Sequence, residues 1–258
     1  MPRGAQPSSL TFPDAPGLLS SIMKTSRYNV IHALVAMVVM ILAVSQNFWH
    51  NFLHGGFPEP PPADVVHKAL GGQFALFGTL LLVLWASTLF IRRQPAANSG
   101  KQSRIHVVRF ALCACIPTFL AAFALMFASN AILEKCLDIK AAGQDLVQWL
   151  QPGTYPLSTR LMLMAFALFE APLLEEPIFR GVMFRGLAKS MPIWAAMTAS
   201  GFVFALIHVN AASFIPLWFL GCVFAWLYCR TGSILAPITA HFMFNLLNLV
   251  LVLMGIAT

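Results

Sequence analysis

Two adjacent acids and an arginine lie inside a stretch of sequence that is otherwise apolar enough to span a membrane. They are Glu175, Glu176 and Arg180. Each charge at bilayer depth costs at least about 2.5 kcal/mol on the most lenient scale, so intramembrane charges usually mark a functional site. These three side chains are therefore the first candidates for chemistry.

Two later apolar runs carry further isolated polar side chains. His208 ends one of them, four residues after Phe204, and His241 and Asn245 lie four residues apart in the last run. An acid with two imidazoles and an amide can supply a base for water and hydrogen-bond donors for a tetrahedral oxyanion. The set predicts a hydrolytic site, and polar contacts that merely hold helices together are the alternative.

Helical geometry separates the two glutamates. Glu176 and Arg180 are i and i+4, on one helix face, with the acid N-terminal, which is the favourable order for an ion pair. Glu175 is five residues from Arg180 and points away from it. The spacing predicts that Arg180 neutralises and orients Glu176, which leaves Glu175 as the free carboxylate for a general base. A purely structural charge cluster is the alternative.

Two prolines, Pro172 and Pro177, flank the acids. Each lacks an N–H and so removes a helical hydrogen bond, which predicts freed carbonyls at Leu168 and Leu173. Broken helices persist at membrane depth where they line a watery cavity or where the freed groups find other partners. An ordinary proline kink is the other interpretation.

The composition predicts an all-α, polytopic bundle of transmembrane helices. The 258 residues are 59% hydrophobic and only 10% charged, whereas a soluble domain usually has about 25% charged residues. We expect a chain this poor in charge to be embedded in the lipid bilayer, which is then its main interaction partner. The net charge of +7 does not indicate nucleic-acid binding, because the basic residues stand in short loops between apolar runs.

Seven apolar windows are long enough to be spans, at about 20 residues per crossing. They lie at 29–48, 69–91, 105–133, 161–185, 193–209, 213–230 and 233–255. The fifth is the shortest of them. The linker 134–160 mixes charged, aromatic and proline residues, which predicts a short helix at the membrane interface.

The distribution of basic residues predicts the orientation of these spans. With a cytoplasmic N-terminus, all but four of the 16 Lys and Arg residues fall on the inner side. The four are Lys68, Lys135, Lys140 and Arg160. By the positive-inside rule, we expect a multi-pass protein of the cell (inner) membrane with its N-terminus in the cytoplasm.

At these polar residues the sequence resembles the CAAX prenyl endopeptidase and bacteriocin-processing family of intramembrane proteases, also called the Abi family. The family signature is EExxxR, then FxxxH, then HxxxN or HxxxD, and all three occur here in this order. The departure is Pro177, where an apolar residue is at least as usual. The resemblance covers about residues 161–248 and implies a CAAX-protease-like catalytic core at 161–255. The apolar windows and the charge distribution predict a cytoplasmic tail at 1–28 and N-terminal spans with a linker at 29–160.

What the resemblance implies is an intramembrane endopeptidase that acts on a peptide or membrane-protein substrate. By carry-over, Glu175 and His208 would activate the attacking water, and His241 and Asn245 would stabilise the oxyanion. No resident cofactor is implied by this glutamate-type mechanism.

In the same resemblance, Glu176 and Arg180 would hold the site in shape, which agrees with the assignment from helical geometry. A zinc-dependent version is an alternative, since Glu and His are zinc ligands, although HExxH is absent. A membrane scaffold or immunity-type protein that binds a peptide is a second alternative. A transporter is a third, because buried Glu and His also serve ion pathways, but no inverted repeat is found.

Overall fold

The computed structural model describes residues 28–44, 60–87, 103–138, 145–151 and 153–256. Within these ranges all regular secondary structure is helical, which confirms the predicted all-α class. The helices there are α1 (Val30–Val44), α2 (Ala63–Ser87), α3 (Arg104–Leu137), α4 (Asp145–Leu150), α5 (Leu157–Leu187), α6 (Ile193–Leu206), α7 (Ala211–Thr231) and α8 (Leu235–Leu253). The predicted tail, apart from Tyr28, lies outside the described residues.

Each of the seven predicted spans corresponds to one helix. Five of them, α2, α3, α5, α7 and α8, are long and apolar enough to cross a bilayer, whereas α1 and α6 are apolar but shorter. The side chains of Phe74, Leu120 and Phe127 on α2 and α3 are 55%, 63% and 65% exposed. Such an apolar exterior requires lipid around it, and the chain is a multi-pass membrane protein.

The described part of the linker between α3 and α5 contains one short helix, as its mixed composition predicts. This helix, α4, has 6 residues. Its Trp149 meets Tyr155 edge to face, with ring centroids 6.5 Å apart. Tyr155 also donates a hydrogen bond to the carbonyl of Pro61. These contacts tie the linker to the start of α2.

Helix α7 is central to the part of the bundle that carries the polar motifs. It packs against α3, α6 and α8, and its Leu220, Phe224 and Leu227 are almost completely buried. Helix α1 packs against the end of α5, with Ala33 fully buried there. The acids of α5 are thus enclosed by elements from both halves of the chain.

Helix α5 contains two π-helical segments. Phe166–Glu170 and Pro177–Phe184 are π-helical, and the α-helical turn Ala171–Glu176 separates them. Each of these wider, π-helical segments lies close to one of the two prolines: the first ends two residues before Pro172, and the second begins at Pro177. A proline lacks the N–H that an α-helical hydrogen bond at its position would use. Single π turns inside α-helices are frequent at functional sites. Here they place both glutamates on the one regular turn between two wide ones.

Helices α6 and α7 cross at a pair of glycines. A Cβ built on Gly221 would lie 2.6 Å from the Cα of Gly201, and one built on Gly201 would lie 3.0 Å from the backbone nitrogen of Cys222. No larger side chain fits this approach without moving a backbone. The crossing therefore sets how closely the carbonyl of Gly221 and the end of α6 approach α5.

We expect Gly221→Ala to destabilise the protein by about 1–3 kcal/mol, because the added methyl must push two backbones apart. Gly181→Ala is the matched control, since a Cβ there meets no atom within 4 Å. Both changes gain the same helix propensity, about 0.8–1 kcal/mol. The measurement is the midpoint of thermal unfolding in detergent micelles. Equal midpoints for the two variants would contradict the close crossing.

Candidate active site

Glu176 links two basic side chains from different helices. Its Oε1 accepts a hydrogen bond from Nη1 of Arg180 at 3.0 Å and another from Nδ1 of His241 at 2.9 Å. Glu176 and Arg180 are fully buried, and His241 is 5% exposed. The i, i+4 ion pair predicted from the sequence is confirmed. The contact with His241 joins α5 to α8 across 65 positions of sequence.

The guanidinium of Arg180 connects three helices. Its Nη2 donates to the carbonyl of Gly221 on α7 at 3.1 Å. Its Cζ lies 4.7 Å from the ring centre of Phe204 on α6 and 5.1 Å from that of Phe224 on α7. A buried charge is tolerated when it is paired and hydrogen-bonded, and desolvated rings add a cation–π attraction. Arg180 is therefore the residue that joins α5, α6 and α7 at the site.

His241 is fixed in both orientation and tautomer. A carboxylate only accepts hydrogen bonds, so the contact with Glu176 places a hydrogen on Nδ1 and leaves Nε2 for another partner. The imidazole stacks on Phe224, with ring centroids 5.2 Å apart and an interplanar angle of 23°. It meets Phe204 edge to face at 5.7 Å. The ring has little freedom to turn away from the site.

His208 lies in the turn that follows α6, and its imidazole is close to that of His241. Helix α6 has 14 residues and ends at Leu206, which at a rise of 1.5 Å per residue gives about 21 Å, less than the roughly 30 Å of a hydrocarbon core. The predicted short fifth span is confirmed. Nδ1 of His208 donates to the carbonyl of Phe204 at 2.7 Å. Because that carbonyl can only accept, Nε2 of this imidazole also faces away from its anchor.

The two imidazoles share one aromatic neighbour. The ring of Phe204 lies 4.9 Å from that of His208 and 5.7 Å from that of His241, centre to centre. His208 is within electrostatic range of both His241 and Arg180. Residues 33 positions apart in sequence are thus brought to one locus, as the motif spacing indicated.

Glu175 is buried beside this group without being part of its hydrogen-bond network. The side chain is 5% exposed, and Oε2 is buried without a hydrogen-bond partner. Its electrostatic neighbours are His241, Glu176 and Arg180. A buried, unsatisfied carboxylate oxygen is costly, and such an atom in a native structure calls for an explanation such as catalysis.

Asn245 makes a contact that the sequence did not indicate. Its Nδ2 donates to the carbonyl of Ala167 on α5 at 2.7 Å. An α-helical register predicted that Pro172 would free the carbonyl of Leu168 instead. In the π register, where the N–H of Ala171 bonds to the carbonyl of Phe166, position 172 corresponds to Ala167. The π register thus accounts for a freed carbonyl at Ala167, the expected freeing of the Leu168 carbonyl stays a prediction, and one amide hydrogen of Asn245 is committed to α5.

Three residues that position the site lie outside the polar motifs. They are Phe224, which contacts both Arg180 and His241, and the crossing pair Gly201 and Gly221. A glycine inside an apolar helix is a signal of close packing that the sequence does contain. Phe224 gives no such signal, because the chain has 22 phenylalanines and only the fold shows which of them lie against the guanidinium of Arg180.

No three His, Cys, Asp or Glu side chains in the described ranges converge closely enough to hold a metal ion. The carboxylate of Glu176 and Nδ1 of His241 are bonded to each other, so this pair does not present both groups to one ion. The residues in this arrangement do not fit a three-ligand zinc site of the usual kind.

Known proteins match the part of the chain that carries the polar motifs. Residues 157–247 match the protein family described as "Type II CAAX prenyl endopeptidase Rce1-like". A curated relative, "Putative membrane peptidase YdiL" of Bacillus subtilis (strain 168), is 36% identical over 74 residues. This match spans 29% of the chain and only 30% of that relative's length. No solved structure matches the chain.

The family match covers the π-wound helix and the crossing helices that surround Glu176, and it ends two residues after Asn245. It therefore contains every residue of the polar constellation described above. Residues 157–247 of this chain are thus similar to the Rce1-like CAAX prenyl endopeptidase family, in agreement with the resemblance that the three motifs carry.

Proposed function

We propose that the chain is an intramembrane endopeptidase in which Glu175 activates a water for direct attack on a peptide bond. The observation that carries the proposal is the position of Glu175, a buried carboxylate within electrostatic range of His241 and Arg180, whose Oε2 has no hydrogen-bond partner. The family match and the similarity to a membrane peptidase support the same reaction class.

The first step is removal of a proton from water. Glu175 takes this proton as the water oxygen attacks the peptide carbonyl carbon, and Nε2 of His208 accepts the water's second hydrogen bond. The bond between Nδ1 of His208 and the Phe204 carbonyl favours this assignment, because it keeps the lone pair of a neutral imidazole on Nε2. His208 thus orients the nucleophile while Glu175 is the base.

The second requirement is stabilisation of the oxyanion. His241 does this when it carries hydrogens on both nitrogens, with Nδ1 bonded to Glu176 and Nε2 directed to the substrate. The carboxylate of Glu176, 2.9 Å from Nδ1, holds the ring in the orientation that directs Nε2 away from α5. Asn245 supplies a second donor with the amide hydrogen that Ala167 does not use. The tetrahedral intermediate then collapses, and Glu175 gives its proton to the leaving amine.

The substrate class we infer is a peptide or membrane protein with a cleavable bond at bilayer depth, and the protein is assigned to the inner membrane with its N-terminus in the cytoplasm. The experiment compares membranes that contain wild-type protein or Glu175→Gln, with N- and C-terminal peptides read by mass spectrometry. We expect a set of new termini that appears only with the wild type. Identical termini in both membranes would reject the proposed activity.

A further inference from the structure

The turn between α6 and α7 holds an unusual backbone conformation next to His208. Val209 has φ +50°, in the left-handed region that a β-branched residue rarely adopts. The other non-glycine residue with positive φ in the described part of the chain is Asp138, which ends helix α3 as a C-cap. Outliers of the Val209 kind persist where their surroundings enforce them, and they cluster at functional sites.

A buried pair of polar side chains closes this turn. Oδ1 of Asn210 accepts one hydrogen bond from the backbone N–H of Ser213 at 2.9 Å and a second from its Oγ at 2.7 Å. Asn210 is 5% and Ser213 1% exposed. A helix N-cap requires only the first of these bonds. The second bond also fixes the side chain of Ser213, which an ordinary cap leaves free to rotate, and holds Oδ1 of Asn210 from two sides.

This pair limits where the chain can go after His208. Asn210 is held in an extended conformation, with φ −141° and ψ 117°, and α6 ends at Leu206. The reversal between the helices is therefore made at His208 and Val209. On its N-terminal side, His208 is held by the hydrogen bond from Nδ1 of its imidazole to the carbonyl of Phe204. On its C-terminal side, the backbone is held by the turn at Val209 and Asn210.

We propose that Asn210 and Ser213 are positioning residues for His208, which hold Val209 in its left-handed conformation and thereby aim Nε2 of His208 at the water beside Glu175. Release of the pair lets Val209 relax to negative φ, and this relaxation redirects the backbone on the C-terminal side of His208. A displacement of about 1 Å at such a group can cost roughly 100-fold in rate. The catalytic part of this inference rests on the proposed function.

The kinetic test uses the peptide whose cleavage depends on Glu175. For Asn210→Ala we expect kcat to fall about 10- to 100-fold while KM stays within about twofold, because the change affects the reacting water more than binding. Asn210→Asp keeps an oxygen that accepts both bonds, so it should retain at least about a third of the wild-type kcat. Ser213→Ala removes only the side-chain bond and should give an intermediate loss.

Val209→Gly distinguishes a positioning role from a simple helix cap. Glycine adopts positive φ without strain. The kcat of the double variant Val209→Gly with Asn210→Ala should therefore be at least about threefold higher than that of Asn210→Ala alone. A cap that only stabilises α7 gives no such recovery. Ser233→Ala is the control, since it removes a comparable contact at the start of α8, the 3.3 Å bond from the Leu235 N–H.

A readout without proteolysis separates failure of this inference from failure of the proposed function. Carbethoxylation by diethyl pyrocarbonate, followed by peptide mass spectrometry, reports the accessibility and basicity of each imidazole. We expect the rate at His208 to change at least about threefold in Asn210→Ala, to return in the double variant with Val209→Gly, and to stay constant at His241 throughout. Unchanged rates at His208 in all variants would overturn the inference, whether or not the wild type cleaves peptides.

Discussion

Glu175→Gln is expected to abolish cleavage while leaving the protein folded. Removal of a general base costs about 10²- to 10⁴-fold in rate, and glutamine has the shape of glutamate without a carboxylate to take the proton. The buried Oε2 of Glu175 has no hydrogen-bond partner. The neutral amide of glutamine costs less free energy to bury at this position than an unpaired carboxylate does. The unfolding midpoint should therefore equal or exceed that of the wild type, as at other sites where activity opposes stability.

The measurement is the rate of peptide cleavage by purified protein in proteoliposomes, together with the thermal midpoint of the same samples. Glu134→Gln is the control, because Glu134 is an exposed acid near the end of α3 and should keep full activity. More than about a tenth of wild-type activity in Glu175→Gln would remove this carboxylate from the reaction.

Arg180→Met is expected to give the largest loss of stability. The substitution keeps an unbranched side chain but leaves the buried Glu176 carboxylate without its counter-charge and the Gly221 carbonyl without its donor at 3.1 Å. Breaking a buried ion pair from one side costs about 3–5 kcal/mol. Arg104→Ala, at an exposed first residue of α3, should change the free energy of unfolding by no more than about 0.5 kcal/mol.

A second substitution tests the cause of that loss. Glu176→Gln combined with Arg180→Met removes the uncompensated charge at position 176, and the amide oxygen of the introduced glutamine still accepts from His241. We expect the double variant to regain at least about 1 kcal/mol relative to Arg180→Met alone, measured by unfolding in detergent. A double variant no more stable than the single one would assign the loss to the Gly221 bond and the aromatic contacts instead.

Much of the fold follows from the sequence because a membrane leaves the backbone few choices. With no water to satisfy N–H and C=O groups, apolar runs of sufficient length must be helical. This is why each predicted span has its helix, and why the short fifth window became a 14-residue helix. The position of each helix in the bundle could not be predicted in this way. Both α3 and α7 are apolar enough to cross a bilayer, yet most of α3 is exposed whereas most of α7 is buried within the bundle.

The candidate site was predictable only as far as local geometry reaches. The pair Glu176 and Arg180 follows from their i, i+4 spacing alone. The bond from Glu176 to His241 joins α5 and α8, and no rule of spacing connects residues so far apart. The roles assigned to Glu175, His208, His241 and Asn245 stay predictions, for which the structure provides positions and the variants above provide tests.

The wide turns of α5 also determine how this protein can change in length. Deletion of one residue between Ala167 and Ala171 would return that segment to α-helical winding without rotating the rest of the helix, because a π turn is an α turn that contains one extra residue. The carbonyl of Ala167 would then lie four residues before Pro172, still without an N–H partner in the helix and still able to accept from Asn245. An alignment gap of one residue in this segment should therefore mark a homologue that keeps the same contact on a regular helix.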